Sequence, residues 1–150
     1  MKILRWLIMI VLSATAISAA AVDGLIAVRS TRDVATTISR LEDLFKTRGL
    51  TVFARIDHAA GAAKVGKMLR PTQVLLFGNP ASGTPLMECA QTMGIDLPQK
   101  MLVWEDDKGQ AWVGYNDPTY LIQRHGATPC PATESVRKAL AGLVEAALVP

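Results

Sequence analysis

Hydrophobic residues recur along this chain at two different spacings, which predict helices and strands in alternation. The best-defined helix ends at Gly49 and has apolar residues three or four positions apart, at Val34, Ile38, Leu41, Leu44 and Phe45. Shorter apolar stretches bounded by turn residues are typical of strands, and they occur at 25–28, 50–56 and 74–77. The first part of the domain therefore predicts strands separated by helical segments.

Two later apolar stretches predict an antiparallel hairpin. Residues 101–104 and 111–115 are joined by a short segment of acidic residues and glycine, which is a hairpin signal. Both stretches are apolar on both faces, with Leu102 and Trp104 on one side and Met101 and Val103 on the other. One face must cover the domain's own helices, and we expect a second subunit on the other. Val103 is assigned to that outer face, and the pattern predicts a homodimer.

Helical patterns close the chain and complete the predicted fold. Asp117 and Pro118 favour the start of a short helix that ends at His125, and an amphipathic helix follows to the C-terminus. Residues 22–150 are predicted to form a single domain of the α/β (α+β) class. The expected architecture is a two-layer sandwich, in which a mixed sheet carries helices on one face.

The N-terminus predicts export. Lys2 and Arg5 precede an apolar stretch at 6–17 and small residues at 18–21, which is the layout of a secretory signal peptide spanning residues 1–21. Its removal lowers the formal net charge from +3 to +1, because two basic residues and no acidic ones are lost. We therefore expect a periplasmic or secreted protein that has no membrane association after cleavage and no nucleic-acid partner.

Two cysteines, Cys89 and Cys130, remain in the exported domain. An oxidising compartment favours a disulfide between them. Cys89 also borders the apolar side of a predicted helix, where a free cysteine serves as a small hydrophobic residue. The sequence leaves both alternatives open.

The segment from Pro71 to Gly94 carries the first candidate site. Its apolar strand ends at Gly78-Asn79, and Thr84 is predicted to cap a helix with Pro85 in the first position. Gly78 and Gly83 are spaced like the glycines of a phosphate-binding loop, but the lysine and serine or threonine of that motif are absent. The residues favour either a turn and a cap or an anion site at the helix start.

The second candidate site contains Asp57, His58 and His125. Asp57 or His58 could serve as a catalytic acid or base at the end of a strand, and the two histidines could share a metal or haem. Structural roles are the alternative, since His125 lies in the last turn of a helix, where a cation is favoured. A ligand pocket is expected between His58 and the segment 78–85. The sequence identifies no cofactor.

Several segments together resemble the domain-of-unknown-function 302 family over the whole exported chain. They are Asp57-His58-Ala59, Phe77-Gly78-Asn79-Pro80, Thr84-Pro85-Leu86, Leu97-Pro98, Trp104-Glu105-Asp106 and Tyr115-Asn116-Asp117-Pro118. The resemblance implies a compact two-layer α/β sandwich, usually paired as a homodimer, and no established activity. The resulting hypothesis is an exported homodimer that binds a small ligand or a partner. An enzyme and a purely structural module are the alternatives.

Overall fold

A computed structural model describes residues 22–149, and the predicted signal peptide lies outside them. The sandwich contains five strands, five α-helices and a 3₁₀ helix within this range: β1 Leu25–Arg29, α1 Val34–Thr47, β2 Thr51–Asp57, α2 His58–Lys64, β3 Thr72–Gly78, α3 Pro80–Cys89, the 3₁₀ helix Gln91–Ile95, β4 Gln99–Glu105, β5 Ala111–Asn116, α4 Pro118–Arg124 and α5 Thr133–Leu148. None of the helices in this part of the chain is both long enough and apolar enough to cross a membrane.

The strands form one sheet in the order β1-β5-β4-β3-β2, and every neighbouring pair is antiparallel. The predicted β4–β5 hairpin is confirmed, as is the α+β sandwich, but the sheet is antiparallel throughout rather than mixed. The physical reason is the path of the connections. The segments that contain α2 and α3 each leave and re-enter the sheet at the same end, so consecutive strands run in opposite directions.

The core lies between one face of the sheet and helices α1 and α5. Phe45 of α1 stacks on Phe77 of β3 with ring centroids 4.0 Å apart. Leu75, Met101 and Val103 point toward the same layer and are fully buried. The assignment of Val103 to the outer face is therefore wrong: alternation along β4 directs it inward and directs its neighbours Leu102 and Trp104 outward.

Strand β2 departs from simple alternation. The register shifts between Val52, which pairs with Phe77, and Ala54, which pairs with Leu76. The extra residue between them is Phe53, whose surface is 56% exposed. A bulge of this kind changes which residues face the core, so Arg55 lies on the helix side and bonds to Glu42 of α1 at 3.1 Å.

Helix α3 begins earlier than its sequence predicts. Asn79 is the N-cap, Pro80 occupies the first position, and Thr84 and Pro85 lie inside the helix. The prediction of a cap at Thr84 is wrong because an equivalent Asn-Pro signal precedes it. An internal proline removes one helical hydrogen bond. Here the carbonyl of Ala81 loses that bond. Water can replace it because Ala81 is exposed.

Two other helix starts show how side chains compensate for exposed backbone groups. Asp117 caps α4 as predicted, accepting from the Thr119 N–H at 2.9 Å. Helix α5 has no side-chain cap, but Glu134 lies in its first turn. The hydrogen bond from Arg137 lowers the pKa of Glu134 to about 2, which keeps a negative charge at the positive end of the helix.

A disulfide joins Cys89, the last residue of α3, to Cys130 in the segment before α5. The two Cα atoms are 5.7 Å apart, within the range that such a bond requires. The bond links the end of α3 to the rest of the helix layer. It thereby holds in place one wall of the cavity described next.

Candidate functional site

A cavity of about 330 Å³, which we call the α3 cavity, lies between the start of α3, the 3₁₀ helix and the ends of β3 and β4. Most of its wall is apolar, and three of its residues are glycines. The lining residues are Phe53, Gly78, Asn79, Pro80, Ser82, Gly83, Thr84, Met87, Gly94, Leu97, Pro98, Gln99 and Val136. A mostly apolar concavity of this size with a few polar groups is typical of small-molecule sites.

The backbone N–H groups at the start of α3 are already occupied. Pro80 has none, and the N–H of Ala81 donates to the side-chain oxygen of Asn79 at 2.6 Å. The N–H groups of Ser82 and Gly83 both donate to the Asn79 carbonyl at 3.1 Å. An anion site at a helix start needs unpaired N–H groups. The first turn of α3 offers none, so the structure contradicts the predicted anion site.

Two polar side chains remain available in the α3 cavity. Within the described part of the chain, neither the carboxamide of Gln99 nor the hydroxyl of Thr84 forms a hydrogen bond, although both residues line the cavity. Gln99 supplies a donor and an acceptor, and Thr84 supplies a hydroxyl that does both. These groups can orient a ligand that the apolar wall holds.

A second cavity of about 290 Å³, which we call the Arg48 cavity, adjoins the first. Five residues line both cavities: Gly78, Asn79, Ser82, Gln99 and Val136. The remaining wall of the Arg48 cavity comes from the end of α1, the start of β2, β3 and one side of α5. These residues are Arg48, Leu50, Phe77, Ala139, Leu140 and Leu143.

Asp57 and His58 lie far from the α3 cavity. Gly78 pairs with Thr51 at one end of β2, and Gln73 pairs with Asp57 at the other. Five residues of β3 span about 17 Å between them at ~3.4 Å per residue. The expected pocket between His58 and the segment 78–85 is therefore wrong, because the two lie at opposite ends of the same strand pair.

Asp57 has a structural role. One carboxylate oxygen caps α2 by accepting from the Ala60 N–H at 2.8 Å, and the other accepts from the Gln73 amide at 3.2 Å. His58 instead lines a shallow groove with Val74, Leu102 and Lys100 on the side of the sheet away from the core. The structure does not bring the two residues together as an acid–base pair.

His125 makes its contacts with other residues than those around His58. Its ring nitrogens contact the Asp96 carboxylate at 2.6 Å and the Thr92 hydroxyl at 2.9 Å, within the helix layer. Arg124 bonds to the same carboxylate at 2.9 and 3.1 Å. These contacts join α4 to the 3₁₀ helix. The two histidines do not form a shared metal or haem site, and residues 22–149 contain no cluster of three metal-binding side chains.

The sheet surface opposite α1 and α5, which we call the open face, is largely apolar. Trp104 and Trp112 stack there with centroids 6.4 Å apart, and Arg29 lies 5.8 Å from the Trp112 ring. The Trp112 indole donates to Asp106 at 2.8 Å, and this bond lowers the pKa of the Asp106 carboxyl. The strand register assigns these residues to the open face: Leu25, Ala27, Arg29, Ala54, Ile56, Thr72, Val74, Leu76, Lys100, Leu102, Trp104, Trp112, Gly114 and Asn116.

Sequence reasoning located only part of the α3 cavity. Its wall does contain four predicted residues together, Gly78, Asn79, Gly83 and Thr84. The first turn of α3, however, has no unpaired N–H group for the predicted anion. Phe53, Gln99 and Val136 of this cavity were missed because they come from distant parts of the chain, and Arg48 of the adjoining cavity was missed for the same reason. The exposed position of Phe53 results from the bulge in the β2–β3 register, which the sequence alone does not reveal.

Comparison with solved structures supports the fold. The chain is similar to the crystal structure of an uncharacterised conserved DUF302 protein from Bacillus stearothermophilus, with a TM-score of 0.67 and 23% sequence identity. The match covers 85% of this chain and 97% of that one. At this level of identity the similarity concerns the fold alone.

The chain is also similar to Brucella proteins named as ion channels. The chain is 48% identical over 102 residues to fluoride-specific ion channel FluC 1 of Brucella suis biovar 1 and to FluC 2 of Brucella melitensis biotype 1. The match takes 68% of this chain but only 40% and 38% of those proteins, so the chain spans about two fifths of their length.

The family model for the domain of unknown function DUF302 matches residues 26–147. The chain belongs to the DUF302 family.

Proposed function

We propose that the chain is an exported, homodimeric domain that binds a small, mostly apolar ligand in the α3 cavity. The observation that carries this proposal is the cavity's composition. An apolar wall lines an open concavity of about 330 Å³, while Gln99 and Thr84 offer hydrogen-bonding groups not used by the described residues. Few polar groups in an apolar concavity give a ligand its orientation, while the apolar wall provides most of the affinity.

Glycines keep the α3 cavity open. A Cβ atom added to Gly83 would lie 3.9 Å from Leu97 Cδ1, and one added to Gly78 would lie 3.8 Å from Phe53. Neither glycine adopts the left-handed backbone conformation that other residues avoid. The backbone therefore does not require glycine at these positions. Their value lies in the space that a larger side chain would fill.

Export is supported by the leader pattern at 1–21 and by the disulfide. A bond between Cys89 and Cys130 persists in oxidising compartments and is rare in the reducing cytosol. These two observations come from different parts of the chain and favour the same compartment. The proposed location is the periplasm or the extracellular space.

A second copy of this chain is the proposed occupant of the open face. Five strands about 4.8 Å apart and about six residues long form a surface about 24 Å by 20 Å. This flat area of roughly 480 Å² is more than half of the ~800 Å² that each partner buries in a standard interface. The segment after α2 also carries exposed apolar side chains, since Val65, Met68 and Leu69 are 73%, 101% and 51% exposed. An apolar surface of this extent favours burial against an equivalent surface.

The Brucella relatives support a second candidate function. In them a segment 48% identical to this chain occupies about two fifths of a protein named as a fluoride-specific ion channel. Open sheet edges do not occur in the hydrocarbon region of a bilayer. We therefore propose that the ion pathway belongs to the unmatched three fifths, and that the DUF302 segment is an accessory domain that responds to a ligand.

Replacing Gly83 by leucine should abolish ligand binding without unfolding the protein. Leucine has a higher helix propensity than glycine by about 0.8 kcal/mol, and its side chain would fill the α3 cavity. Gly142→Leu, in α5, is the matched control because open space surrounds that position. Native mass spectrometry of protein from the host envelope should find a retained small molecule on wild type and Gly142→Leu only. The same molecule on Gly83→Leu would locate its site elsewhere.

The intact mass of protein from the native host should report export and the disulfide together. We expect the chain to begin at Ala21 or Val22, because the small residues before these positions suit signal peptidase. Its mass should rise by about two hydrogens on reduction, as one disulfide opens. A mass that includes Met1 would contradict export, and no change on reduction would contradict the bond.

Leu102→Glu should disrupt the dimer, because it introduces a charge at the middle of the open face. Ile95→Glu is the matched control, since Ile95 is 74% exposed and lies on the 3₁₀ helix. Light scattering should give a dimer for wild type and Ile95→Glu and a monomer for Leu102→Glu. Circular dichroism verifies that all three are folded. A Leu102→Glu protein that remains dimeric would contradict an interface on the open face.

Deleting the DUF302 segment from the Brucella suis relative tests the accessory role. Fluoride efflux from liposomes that contain the shortened protein should persist, because the proposed ion pathway lies in the remaining part. Adding the segment back as a separate chain should change the rate of fluoride efflux when a ligand extracted from the native protein is present. Complete loss of efflux from a correctly inserted shortened protein would contradict the assignment.

A further inference from the structure

We infer that the ligand is an amphipathic monocarboxylate, with its apolar chain in the α3 cavity and its carboxylate against Arg48. The inference rests on the proposed function of the α3 cavity and adds the chemical class of its ligand. Two observations support it: the α3 cavity and the Arg48 cavity adjoin, and, among the described residues, a single charged one lines them.

Arg48 is the one charged residue among the described residues that line either cavity. The rest of the wall is neutral, and its polar groups lie mainly where the two cavities adjoin, at Asn79, Ser82 and Gln99. Apart from Arg48, the wall of the Arg48 cavity beyond these residues is again apolar, so the adjoining cavities present one cation within a largely apolar surface. A molecule with an apolar chain and one anionic end matches that arrangement.

The guanidinium of Arg48 is available for a ligand. It forms neither a hydrogen bond nor an ion pair with the part of the chain that the structure describes, unlike Arg32, Arg40, Arg55, Arg124 and Arg137. The residue's backbone is nevertheless fixed, since its N–H donates to Leu44 and Phe45 at the end of α1. An exposed cation on a fixed backbone can contact a ligand at the mouth of the cavity.

The alternatives for the anionic end are less well matched. The start of α3 cannot bind it, because its first-turn N–H groups are paired. Lys100 is engaged with the carbonyls of Asp96 and Pro98, at 2.8 and 3.2 Å. A phosphate carries nearly two negative charges, whereas the combined wall offers one cation. A guanidinium binds one carboxylate with two parallel hydrogen bonds, so a monocarboxylate balances the charge.

Isothermal titration calorimetry with decanoate and decanol tests the inference. Wild type should bind decanoate more tightly than decanol, and Arg48→Gln should bind decanoate about fivefold more weakly, the upper range for an exposed ion pair. Decanol binding should not change in Arg48→Gln, because the alcohol carries no charge. Lys64→Gln removes a charge from α2, at the far end of β2, and should bind both probes like wild type.

The outcomes separate this inference from the proposed function. Equal decanoate affinity in wild type and Arg48→Gln, with both probes excluded by Gly83→Leu, would overturn the carboxylate and keep the cavity. Absence of binding of both probes to wild type would overturn both proposals. If Gly83→Leu does not fold, Gly83→Ala serves instead, because its Cβ makes an ordinary 3.9 Å contact with Leu97 and should weaken binding.

Discussion

The stacking of Phe45 on Phe77 determines where the cavities lie. The two rings are fully or almost fully buried, with centroids 4.0 Å apart. Phe77 immediately precedes Gly78, where β3 ends, and the carbonyl of Phe45 accepts bonds from the N–H groups of Arg48 and Leu50. One buried aromatic contact therefore fixes the end of α1, which carries Arg48, beside the start of α3. Loss of a buried phenylalanine typically costs about 3–5 kcal/mol, so this arrangement is strongly held.

The apolar patterns of the sequence predicted the elements that pack against the core. The spacing in α1 and the acidic turn of the β4–β5 hairpin are local signals, and the structure contains both. The start of α3 could not be assigned uniquely, because Asn79-Pro80 and Thr84-Pro85 are both good starting signals. The direction of Val103 depends on the strand register, since a strand that is apolar on both faces does not reveal which side is inward.

The site residues show the same division between local and long-range information. Gly78, Asn79, Gly83 and Thr84 were selected together because they are neighbours along the chain, and they share the wall of one cavity. The expected meeting of His58 with that segment required the tertiary structure, and an antiparallel β2–β3 pair separates them. Arg48 had no local signal, because a helix-ending arginine is common and its availability appears only when the partners of the other arginines are known.

Binding of a ligand in the α3 cavity can be tested through the chain's own glycines. In an amide chemical-shift map of isotope-labelled wild type titrated with decanoate, we expect the largest changes at Gly78, Gly83 and Gly94, which line that cavity. Gly61 and Gly66, in α2 and the segment after it, should not shift. The largest changes at Gly114 on the open face, with none at the three cavity glycines, would contradict binding in the α3 cavity.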